Sequence, residues 1–135
     1  MKILIVEDET TSRMILQKIL STYGEARLCM DGGEAVDAFS SALDGGAPFD
    51  LVCMDFMLPE MDGRTALSMI RGIEKEKGIK QGLGVKVILA TGLSSIESEY
   101  EDITTLCDAI IQKPVRKDTL LETMRRLGFK DSAGS

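Results

Sequence analysis

Five short, almost wholly apolar runs alternate with stretches whose apolar residues recur at helical spacing. No other feature limits the fold of this chain as strongly. The runs are Ile3–Val6, Ala26–Met30, Phe49–Met54, Val85–Ala90 and Ala109–Ile111. They have strand length, and strands that are apolar on both faces belong to parallel sheets covered on both sides. Right-handed crossovers then distribute the intervening helices over the two faces. The expectation is an α/β fold, a doubly wound five-stranded parallel sheet built from five βα units.

The intervening stretches carry helix signals. Ile15, Leu16, Ile19 and Leu20 predict a first helix, with Thr10 to Ser12 as its cap. Asp31 and Glu34 have the spacing of a capping box ahead of Ala35, Ala38, Phe39 and Ala42. Arg64 to Lys77 reads as a helix with Ala66, Leu67, Ile70 and Ile73 inward. Ser94 and Glu97 repeat the capping spacing and open a weaker, more polar helix to about Leu106. Arg116 to Leu127 closes the series, with Leu120, Leu121, Met124 and Leu127 apolar. Gly78 to Gly84 reads as a surface loop, with Leu83 touching the core.

A chain of 135 residues is one domain's worth and needs no disulfide or structural metal to fold. The domain is expected over 1–129, with 130–135 as a frayed tail or linker stub. There is no histidine. This excludes histidine metal sites, Ser-His and Cys-His nucleophiles, and a phosphohistidine carried by this chain. A net charge of -6 disfavours nucleic acid or an anionic membrane as a partner. No run approaches a membrane span or a signal-peptide core, so the expected location is the cytoplasm. Cys29, Cys53 and Cys107 are odd in number and form no CxxC pair. They read as buried free thiols of a reducing compartment.

In open parallel sheets, function sits at the carboxyl ends of the strands. That rule selects Glu7 and Asp8 after the first run, Asp55 after the third, Thr91 after the fourth and Lys113 after the fifth. Three carboxylates brought together repel unless a cation compensates, and a hard divalent ion such as Mg2+ suits oxygen ligands. Carboxylate, cation, ammonium and hydroxyl together suit phosphoryl chemistry, with Asp55 as nucleophile. Plainer readings stand beside this one. Glu7 and Asp8 can cap a helix, Asp55 can be a loop residue, and Thr91-Gly92 can be an ordinary turn.

The same residues carry a resemblance. Ile3-Leu4-Ile5-Val6-Glu7-Asp8-Glu9, Asp31-Gly32-Gly33-Glu34-Ala35, Asp50 through Gly63, Ala90-Thr91-Gly92 and Gln112-Lys113-Pro114 resemble the receiver domain of two-component response regulators. The resemblance covers nearly the whole chain. It implies a flavodoxin-like sheet of order 2-1-3-4-5, with Asp55 accepting a phosphoryl group from a phosphohistidine. It implies Mg2+ as cofactor, held by Asp8, Asp55 and the backbone carbonyl of Met57, with Glu7 completing the acidic pair. Thr91 matches the switch hydroxyl and Lys113 the phosphate-pairing lysine, followed by a cis bond to Pro114. The chain would then take and slowly release a phosphoryl group without being an enzyme of the ordinary kind.

The sequence departs from the family pattern in three places. Glu7 stands where Asp is commoner, and its longer arm is expected to reach the metal through water. Ile110 stands where the family carries a switch aromatic, and it cannot act as an aromatic rotor with a polar tip. Leu58 replaces the usual Met before Pro59. Met57 and Leu93 flank the path of hydrolytic water in this family and cannot orient it. They read either as the cause of slow dephosphorylation or as solvent-fringe residues. The implied partners are a histidine kinase or histidine phosphotransfer protein, facing the first helix near Met14, and a downstream protein target or output domain. The alternatives are a non-phosphorylated pseudo-receiver acting as an interaction module, and a flavin protein of the same topology, whose phosphate Glu7-Asp8-Glu9 would repel.

Overall fold

A computed structural model describes residues 1–92 and 103–131. Its strands are β1 (Lys2–Val6), β2 (Glu25–Cys29), β3 (Leu51–Asp55), β4 (Lys86–Thr91) and β5 (Ala109–Gln112). All neighbouring pairs are parallel, in the order β2-β1-β3-β4-β5. The doubly wound parallel sheet expected from the alternation is therefore present, in the flavodoxin-like order that the resemblance implies. Among the described residues the helices are α1 (Thr10–Leu20), α2 (Gly32–Asp44), α3 (Gly63–Glu76) and α4 (Lys117–Arg126). The polar helix expected from Ser94 lies outside the described residues, apart from its end. There Leu106 and Cys107 both donate to the Ile103 carbonyl.

The sheet divides the core into two layers. Alternate residues of one strand serve both, because successive side chains point to opposite faces. Leu4, Val6, Val52 and Met54 pack with α2 and α3, while Ile3, Ile5, Leu51 and Cys53 pack with α1 and α4. β1 and β3 are buried on both faces almost throughout, which explains why they read as unbroken apolar runs.

Several boundaries differ from the sequence reading. α1 is capped by Glu9, whose carboxylate accepts from the Thr11 and Ser12 N–H groups, and not by Thr10 to Ser12. Ile15 is 41% exposed, because Leu16, Ile19 and Leu20 already complete the buried stripe. β2 runs one residue earlier than expected, leaving Met30 outside it and exposed. Leu83 is 74% exposed and touches no core. α2 begins as expected, with Asp31 accepting from the Glu34 N–H at 2.7 Å.

The loop after β3 depends on a glycine. A Cβ on Gly63 would lie 2.6 Å from the Asp55 carbonyl oxygen, so only glycine lets α3 start against the end of β3. Asp62 caps α3 by accepting from the Thr65 N–H, and the Gly63 N–H donates to the Phe56 carbonyl. Together these contacts fix the loop that follows Asp55.

Candidate functional site

Val6 lies opposite Met54 in the β1–β3 register, so the next residue of each chain segment, Glu7 and Asp55, emerges side by side. Glu7 is fully buried and Asp55 is 6% exposed, whereas Asp8, one residue on, faces solvent. Carboxylate oxygens of Glu7, Asp8 and Asp55 all lie within 4.8 Å of one another. The three carboxylates selected from the sequence thus converge.

Lys113 reaches this cluster from the end of β5. Its Nζ donates to Glu7 Oε1 at 2.5 Å and to Asp55 Oδ2 at 3.0 Å. The Lys113 N–H donates to the Thr91 carbonyl, and the Lys113–Pro114 bond is cis, as the resemblance implied. Thr91 ends β4 beside Gln112 and is buried. The Met57 N–H donates to Asp55 Oδ1 at 3.0 Å, which fixes the Asp55 carboxylate, while the Met57 side chain is 55% exposed. Leu93 lies outside the described residues. Ile110 packs half-buried on the core layer shared by α2 and α3.

One ammonium compensates two buried carboxylates, so the cluster retains excess negative charge. Burial, reinforced by the neighbouring Asp55 carboxylate and opposed by Lys113, pushes the Glu7 carboxyl up to about 7. Burial alone would lower the Lys113 ammonium. Its bonds to Glu7 and Asp55 outweigh that and hold it above the usual lysine range. Among the described residues, Glu7 Oε2 is buried without a hydrogen-bond partner. An orphaned oxygen beside two further hard oxygen donors is the environment a small divalent cation satisfies. The residues therefore fit Mg2+.

Two supports were not visible in the sequence. Arg13 on α1 turns back and donates to the Glu7 and Asp8 carbonyls at 3.2 and 3.4 Å, tying down the turn that bears the carboxylates. At the opposite end of the sheet, Arg71 on α3 donates to the carbonyls of Leu106 and Val85 and to the carboxylates of Glu74 and Asp108. Their separations of 35, 14, 3 and 37 residues form no pattern that sequence reading can find. The cysteines behave as plain thiols. Burial pushes Cys53 up to about 12 and Cys29 and Cys107 up to about 11.

Comparison with known proteins decides the family. A family model described as the response regulator receiver domain matches residues 3–125. The chain belongs to this family. It is 29% identical over 134 residues to probable histidine kinase 2 of Oryza sativa subsp. indica, covering 92% of this chain and 12% of that protein. The chain thus spans a small part of that relative. Among solved structures it is similar to the Saccharomyces cerevisiae receiver domain of Ssk1, solved with the histidine phosphotransfer protein Ypd1. The TM-score is 0.76 at 26% identity, covering 95% of this chain and 88% of that one. It shares its fold with the receiver domain of the sensor kinase PA1611 from Pseudomonas aeruginosa PAO1, solved with magnesium in its active-site cleft. There the TM-score is 0.74 at 24% identity, covering 94% and 97% of the two chains. No helix among the described residues is long and apolar enough to cross a membrane.

Proposed function

We propose that this receiver domain accepts a phosphoryl group on Asp55 from the phosphohistidine of a kinase or phosphotransfer protein, with Mg2+ as cofactor. The observation that carries the reading is the convergence of Glu7, Asp8 and Asp55 with Lys113 at one edge of the sheet. An Asp55 carboxylate oxygen attacks phosphorus, the phosphorus–nitrogen bond of the donor breaks, and the electron pair leaves with the imidazole nitrogen. Asp8, Asp55 and the Met57 carbonyl would hold the metal, with Glu7 reaching it through water. When bound, the cation offsets charge on the transferring phosphoryl oxygens. Lys113, already beside Asp55, pairs with the phosphoryl group once it is attached, and the Thr91 hydroxyl binds it from β4.

The receiver is taken to span 1–129, since Phe129 still packs on the core and its N–H closes onto Met124. The donor is expected to dock over the crevice. Met14 and Ile15 on α1, Met30 after β2 and Met57 after β3 are exposed apolar residues near that edge and suit an apolar helical face on the donor. A downstream protein or output domain would read the phosphorylated state.

Incubation with a small phosphodonor and Mg2+, followed by intact mass, tests the reading. One phosphate adduct is expected, lost with EDTA and in Asp55→Asn. No adduct across donors and Mg2+ concentrations would overturn it in favour of a non-phosphorylated interaction module.

A further inference from the structure

A cavity of about 590 Å³ opens at the end of the sheet opposite the carboxylates, between the α3–β4 loop and the turn before β5. Its volume lies within the range of about 300–1,000 Å³ typical of small-molecule sites. Its floor is built. Glu74, 5% exposed, accepts from Arg71 with one oxygen and from the Val85 N–H with the other, at 2.8 and 2.6 Å. Asp108 accepts from Arg71 and from the Val87 N–H. A Cβ on Gly84 would collide with the Glu74 carboxylate, so this floor also dictates the loop sequence above it.

Charge at the cavity is one-sided once these bonds are counted. Both acidic groups of the floor are engaged by Arg71 and by backbone donors. Of the nearby lysines, Lys77 pairs with Asp44 and Lys86 with Asp108. Lys75 and Lys80, which line the cavity, have no ion-pair partner among the described residues. The backbone N–H groups of Gln81, Gly82 and Gly84 also meet no protein acceptor there. Ile79 and Leu106 supply apolar wall. Uncompensated ammonium groups, open backbone donors and an apolar wall together match an anion with an apolar body.

We propose that this cavity binds a small amphipathic anion, a carboxylate, sulfate or phosphate ester carrying a flat apolar group, held by Lys75 and Lys80. The Leu106 carbonyl and Asp108 are bonded to Arg71 in the floor and lead directly into β5. A ligand here would therefore touch the segment entering β5 from the side away from Asp55.

Anilinonaphthalene sulfonate is a direct probe, because its fluorescence rises in an apolar site and its sulfonate requires the cations. The full chain is titrated with it, and amide shifts are mapped by NMR. One saturable site is expected, with shifts at Gly78–Gly84 and Leu106, weakened at least about tenfold in Lys75→Glu/Lys80→Glu. Both replaced side chains are exposed, so the variant is expected to melt like the wild type. Inorganic sulfate competing as well as the probe would reduce the site to a bare anion site and overturn the amphipathic class. Shifts confined to Met14, Met30 and Met57, or affinity unchanged by the charge reversal, would overturn the site itself.

Discussion

Lys113 places its Nζ 3.0 Å from Oδ2 of Asp55, and both side chains are largely withdrawn from solvent. The same nitrogen bonds Glu7, so a single ammonium holds two carboxylates that would otherwise face each other uncompensated. Removing one partner of a buried ion pair costs about 3–5 kcal/mol. Lys113 retains 21% side-chain exposure, which moderates the loss. Lys113→Met is expected to lower stability by about 2 kcal/mol in EDTA, read as the urea midpoint. Saturating Mg2+ should restore most of that loss, because the cation takes over the compensation. The variant should also bind Mg2+ more tightly, while its phosphorylation by a small donor falls about 100-fold. An equal stability loss with and without Mg2+ would show that the carboxylates do not share a metal.

Arg71 is the centre of a hydrogen-bonded corner at the end of the sheet away from Asp55. It joins α3, the start of β4 and the turn before β5 through four acceptors. Arg71→Ala leaves Glu74 buried without its cation and two carbonyls without their donor. The expected loss is about 3 kcal/mol. Arg71→Lys should recover less than half, since one ammonium cannot span the positions that a planar guanidinium serves. Denaturant unfolding of the three proteins checks both statements. Full recovery by lysine would mean that charge alone, not the fork, holds the corner.

Glu60 adopts φ 64°, the left-handed region that favours glycine, and is the only described non-glycine residue that does so. The Met61 N–H donates to the Pro59 carbonyl across it at 2.6 Å, so Glu60 is the centre of a strained three-residue turn. The turn carries Met61 inward onto the α2–α3 layer, where its carbonyl would lie 2.8 Å from a Cβ on Gly32. Glu60→Gly is expected to raise stability by roughly 0.5–1 kcal/mol, relief of the left-handed strain exceeding the extra chain entropy. Glu60→Val should lower it by about 1–2 kcal/mol, because a branched Cβ is worst placed there. The midpoint of urea unfolding should move with an unchanged slope.

How much was legible follows from what each feature depends on. Glu7, Asp8, Asp55, Thr91 and Lys113 can be selected from the sequence because the carboxyl-edge rule needs only the ends of five apolar runs, and those ends are local. Ile15 shares the helical spacing yet stays exposed, because periodicity defines a stripe but not its width, and Leu16, Ile19 and Leu20 already fill it. Glu9 is not legible as a cap because short side chains are the usual choice, yet its carboxylate reaches the Thr11 and Ser12 N–H groups. Leu83 is expected to touch the core, but the glycines around it let the loop leave the surface and expose it. The Arg71 corner could not be read, since it exists only after α3, β4 and the turn before β5 have been assembled.

Under the proposed function, Met57 is expected to set the lifetime of the phosphorylated state. Hydrolysis requires a water positioned to attack the phosphorus of the acyl phosphate on Asp55. Positioning of a reactant in such a step contributes several kcal/mol to its rate. The Met57 N–H is already engaged by Asp55, and its side chain projects into solvent at the mouth of the crevice. A thioether is only a weak acceptor, whereas an amide offers both a donor and an acceptor to hold a water. Met57→Asn is therefore expected to speed loss of the phosphate adduct about tenfold, with Met57→Leu within about twofold of the wild type. The adduct is followed by intact mass after the donor is removed, at fixed Mg2+. Decay that is equal in all three proteins would show that water is oriented by other groups and that Met57 serves only the apolar rim.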